Sequence, residues 1–190
     1  GAEEMDPVAE ANDERVLINL WQTEVLDRDY EVSDPYEDTS SWVLDDVQTA
    51  NAEGERVTAT ITGSIENDLL NGDISVEAWG LLSASLGFEI GDEFSFTVSK
   101  TTRALEEGEK VYIYYAPKYS LSKVRAREVR QNTETGEITP LTGWVNDTAR
   151  EALKPEVIFS YGGPKDSAKL IEIYSADKNG EYRLSRTIER

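Results

Sequence analysis

The chain has 190 residues, enough for one domain or two small ones, with 38 acidic side chains against 19 basic ones and a formal net charge of −19. It contains no cysteine and no histidine, which excludes disulfides, thiol nucleophiles, zinc–thiolate and iron–sulfur sites, Ser-His-Asp catalysis and the usual general base near neutrality. The charge argues against nucleic acid and anionic membrane surfaces as partners, since both are bound by cations.

Carboxylate chemistry, Ser–Lys chemistry, tyrosine chemistry and hard-cation binding remain open. A hydrophobic fraction of 38% predicts a folded but polar domain with a small core. The charge is uneven. Residues 1–55 carry 17 acids and two bases, Arg15 and Arg28; the remainder is nearly balanced.

Residues 1–14 read as an acidic flexible tail preceding one all-β domain over 15–190. Their small, acidic composition suits a spacer behind an export signal or lipid anchor, so a secreted or cell-surface location is expected. Val16 to Trp21 is a short strand-like run. Asp27 to Ser41 reads as an acidic loop, in which Asp27, Asp29, Glu31 and Asp34 have the alternate spacing of a calcium loop. Val32 replaces the expected glycine and no bidentate Glu closes the set. A solvated acidic loop is therefore the first reading, and Ca²⁺ ligation the second. No other cofactor is suggested.

Trp42 to Val47 reads as a short strand. Arg56 to Ile65 alternates aliphatic and hydroxyl residues at period 2, the mark of a half-buried antiparallel strand. Asn71-Gly72 marks a turn. Trp79 to Leu86 fits either a helix stopped by Gly87 or a strand ending in a bend. Phe94, Phe96 and Val98 resume the alternation, and Val111 to Tyr115 is apolar on both faces. Pro117 should end or kink that strand. Tyr119 to Arg130 follows as an edge-like strand whose Lys123, Arg125 and Arg127 share one face.

Two readings compete for this basic stretch. Acids of the first third can neutralise it across strands, or it can bind an anion. With Tyr112, Tyr114 and Tyr119, the cations Lys123, Arg125 and Arg127 form the candidate binding surface. Thr133 to Pro140 is a polar turn region and a candidate sub-domain seam. Thr148 and Glu151 have capping-box spacing, which predicts a short helix from Asn146 or Asp147 to Lys154. Val157 to Tyr161 is a strand. The end is a hairpin about Asn179-Gly180, with Ile171 facing Ile188, Lys178 facing Glu181, and Ile173 and Leu184 on one face.

The pattern is all-β: an antiparallel β-sandwich or barrel of about ten strands with one or two short helices. No run is long and apolar enough for a transmembrane helix. The function expected is that of a non-catalytic exported or cell-surface β domain, structural or binding a protein or glycan. The alternatives are a carboxylate-based, glycosidase-like hydrolase and a small-ligand or cation-binding β-barrel. Ser120-Leu121-Ser122-Lys123 has Ser-x-x-Lys spacing but strand-like surroundings, which argues against an acylase.

Overall fold

The computed structural model describes residues 24–190. The expected tail and the expected strand over Val16 to Trp21 lie outside them. Eleven strands follow in chain order: β1 (Glu24–Val32), β2 (Tyr36–Thr39), β3 (Val43–Thr49), β4 (Thr58–Glu66), β5 (Asp68–Leu69), β6 (Glu93–Thr101), β7 (Lys110–Asn132), β8 (Ile138–Pro140), β9 (Val145–Tyr161), β10 (Leu170–Ala176) and β11 (Tyr182–Glu189). One α-helix, α1 (Trp79–Leu86), stands between β5 and β6 behind a single 3₁₀ turn. The fold is all-β and antiparallel. It is not a closed barrel: the large sheet runs β1-β7-β9-β10-β11, and β4 and β6 form a separate two-stranded ribbon.

The 23-residue β7 organises the molecule. β3, β2 and β1 pair with it in succession, at Lys110–Tyr115, Lys118–Leu121 and Val124–Asn132. β9 pairs with it from Val111 to Ala126. The Tyr119–Arg130 segment is thus central, not an edge. Pro117 kinks the strand without ending it: the register shifts between Ala116 and Lys118, and the proline carbonyl accepts the Ser40 N–H at 2.7 Å. Lacking an N–H, proline fits where the ladder already slips.

The acidic loop expected over Asp27 to Ser41 is instead β1 and β2. Its alternate acids lie opposite alternate arginines of β7, Asp29 by Arg127 and Glu31 by Arg125, so the partner strand supplies the charge the acids need. The expected helix over 147–154 is part of β9. Its helix formers are overridden by pairing on both sides, with β7 on one and β5 on the other. Ala149 and Ala152 are buried there, small enough for close packing. Asp147 caps no helix of its own. Its buried carboxylate accepts the N–H groups of Asn71 and Asp73 at 2.9 and 3.0 Å, fixing the Asn71-Gly72 turn.

Three apolar clusters hold the layers. Ala59, Ile61, Phe96 and Val98 of the ribbon pack on Val111, Ile113, Val157, Phe159 and Tyr161. The intervening Tyr114, Ala116 and Ile158 pack with Ile171 and Ile173. Leu82 of α1, with Leu69 and Ile74, covers Val124, Ala126 and Ala149. Gly87 ends α1 in the left-handed region (φ 83°), as a glycine stop requires. The ambiguity over Trp79 to Leu86 thus resolves as helix.

In the last hairpin Ile171 does face Ile188, but a bulge between Ile173 and Tyr174 shifts the rest. Asp177, not Lys178, meets Glu181, and Gly180 takes the positive φ of the turn. Leu184 is exposed while Ile173 is buried. The sequence pattern assumed a two-residue loop; the glycine makes a longer one with a bulge.

Candidate functional site

The residues named from sequence separate into different environments. Tyr112 and Tyr114 belong to the cluster beneath β10, with the Trp42 ring 5.8 Å from that of Tyr114. The Tyr114 hydroxyl accepts the Lys165 N–H at 3.3 Å. Tyr119 lies under the Arg150 guanidinium, which forks onto Asp68 with both contacts at 2.8 Å. Arg125 and Arg127 flank Trp144, each guanidinium within 4.2 Å of its ring centroid. Arg125 pairs with Glu31 at 2.8 Å and Arg127 with Asp29 at 2.9 Å. Further along, Lys118 meets Glu37 and Arg130 meets Glu24.

The basic face is therefore occupied by acids of β1 and β2 at Lys118, Arg125, Arg127 and Arg130, while Lys123 has no ion pair among the described residues. Lys123 and Arg125 also line a small recess of about 220 Å³ with Asn146. The acids Asp27, Asp29, Glu31 and Asp34 do not converge, and among the described residues no three acidic side chains are grouped to hold a metal ion.

A larger cleft of about 430 Å³ opens between β1, the end of α1 and the β7–β9 pair. That is within the ~300–1,000 Å³ of ligand pockets. Its walls are Tyr30 and Val32 from β1, Pro35 from the next loop, and Leu86 and Phe88 from the end of α1. Four of these five, all but Pro35, also pack on the core beneath the helix, so the walls are anchored.

Its polar groups come from separate elements. Ser33 and Asp34 follow β1, and Ser85 ends α1. Ser120 and Ser122 alternate on β7, and Glu151 of β9 sits directly across from Ser120. The Ser33 hydroxyl accepts the Lys123 N–H at 2.8 Å, which holds the β1–β2 loop to β7. Among the described residues no lysine or arginine lines the cleft.

Two of these groups stand out. The Glu151 carboxylate makes no hydrogen bond or ion pair among the described residues, and burial raises it above the ordinary glutamate value. Ser122 is 5% exposed, and its hydroxyl has no partner among the described residues. Buried polar groups are nearly always satisfied, so the idle Ser122 hydroxyl calls for a ligand or water, and the half-buried Glu151 carboxylate lines the same cleft.

Sequence reasoning assigned Glu151 to a helix cap and Ser122 to a strand. The lining residues come from β1, a loop, α1, β7 and β9, and no local spacing joins them. No protein-family model, curated protein or solved structure matches the chain.

Proposed function

We propose that this is a non-catalytic, partner-binding β domain, exported or displayed at the cell surface, that engages a protein or glycan through the Glu151 cleft. The observation that carries this reading is the pairing of anchored apolar walls with two polar side chains, Glu151 and Ser122, that have no partner among the described residues. The absence of histidine and cysteine removes most nucleophilic and metal-assisted chemistries, which favours binding over turnover. The small, acidic composition of residues 1–14 supports an extracytoplasmic location.

The test is to screen the purified chain against arrayed glycans and cell-surface proteins, alongside a panel of aryl glycosides. Retention of a ligand that Glu151→Gln or Ser122→Ala releases, without glycoside turnover, is the expected result. Turnover would overturn the non-catalytic assignment. Fractionation of cells carrying the full-length gene tests the location.

A second reading has one specific support. Glu151, with its raised carboxyl, shares the cleft with Asp34, so two acids line one cavity as in a glycosidase. In that case Glu151→Gln abolishes hydrolysis of a susceptible glycoside.

A further inference from the structure

Among the described residues the cleft is lined by two carboxylates and no cation, in a wall that is otherwise apolar or hydroxylic. Elsewhere on the sheet three acids facing β7 are matched, Asp29 by Arg127, Glu31 by Arg125 and Glu37 by Lys118. Glu151 is matched by no cation among the described residues. One sign of charge against low-dielectric walls concentrates the opposite charge from solution. The acceptors, two carboxylates and the Ser122 hydroxyl, come from three separate elements, which suits the three separately directed donors of an ammonium.

We infer that the cleft takes an alkylammonium group, the shared chemistry of a free amine and of a lysine side chain on a partner protein. The ammonium lies among the Glu151 and Asp34 carboxylates and the Ser122 hydroxyl, and its methylene stem runs along Tyr30, Leu86 and Phe88. Methylenes of this kind pack readily on apolar and aromatic surface while the head stays solvated or paired. The inference rests on reading the cleft as the binding site.

Calorimetric titration of the full chain with n-pentylammonium chloride tests it, with a capped Gly-Lys-Gly peptide, 1-pentanol and maltotriose as further arms. Both cations bind and 1-pentanol does not. Glu151→Gln weakens the cations by about tenfold or more, the scale of one charge-assisted contact. Ser122→Ala weakens them less. Glu181→Gln removes an equal charge from the β10–β11 turn and leaves binding unchanged. A peptide that binds as tightly as pentylammonium points to a protein lysine, and a weaker one to a free amine.

Cation binding that survives Glu151→Gln overturns the inference, because it then reflects net charge alone. Maltotriose binding with both cations silent overturns the inference but leaves the cleft as a binding site. Silence from every probe, with a glycan or protein ligand found in the array screen and indifferent to Glu151→Gln and Ser122→Ala, overturns both.

Discussion

Glu151 bears on stability as well as on binding. Its carboxyl titrates higher in the fold than in the unfolded chain, so the native state favours the neutral form. Stability therefore falls as pH rises through the raised value, and it is recovered below the ordinary glutamate range. Gln mimics the neutral form. Glu151→Gln is expected to melt no lower than the native chain at pH 7, with the difference closing in acid; a thermal melt at each pH checks this. A lower melting point at pH 7 would show that Glu151 has a stabilising partner. Asn67 acts in the opposite sense. It is buried, its side-chain oxygen accepts the Ala152 N–H at 2.8 Å and its amide donates to the Glu89 carbonyl at 3.2 Å. Asn67→Ala strands those groups and should cost about 2–3 kcal/mol in urea denaturation.

At the scale of elements, the β4–β6 ribbon depends on a close fit. Gly63 faces Phe96 across the pair, and a Cβ built on Gly63 falls 2.7 Å from the Phe96 ring. That ring is in the core, so Gly63→Val must push it out and should destabilise by about 1–3 kcal/mol, read from the urea midpoint. The ribbon's outer face is a ladder of hydroxyl pairs, including Thr58 with Thr101 at 2.9 Å and Thr60 with Ser99 at 3.2 Å. This is the element most legible from sequence, because period 2 depends only on neighbours along the chain. The first half of β9, unlike Val157 to Tyr161, was illegible for the converse reason: Thr148-x-x-Glu151 is a sound local cap, and the competing β5 and β7 pairings are remote in sequence. β1 was hidden by its charge, which reads as solvated until Arg125 and Arg127 are placed opposite. The cleft inherits both difficulties, since it needs β1 and β9 as strands before Tyr30 and Glu151 meet. Arg125, Arg127 and Trp144 were each visible, but not their stacking. Trp144→Ala is expected to cost about 1–2 kcal/mol, from two part-exposed cation–π contacts, by the same denaturation assay.

Across the molecule, both alkaline pH and the order of synthesis act on the sheet as a unit. Burial pushes the Tyr161, Tyr174 and Tyr182 hydroxyls up, with Tyr174 reaching about 12 beside Glu172. Their neutral forms stabilise the fold below the ordinary tyrosine value of about 10, and that contribution is lost as pH rises from there, through about 12 for Tyr174 and higher for the other two. Phenolate absorbance and loss of β-sheet dichroism should therefore rise together over this window; early, independent ionisation would place these rings in solvent. The position of β7 reaches further. β1, β2 and β3 have no strand partner but β7 among the described residues, so as the chain emerges from the ribosome they must wait for a segment made some sixty residues after β3 ends. Nascent strands in that condition invite pairing between copies. Here the waiting stretch is densely acidic and its own partner is basic, so mutual repulsion keeps unfinished chains apart until Lys118, Arg125 and Arg127 arrive to cancel it.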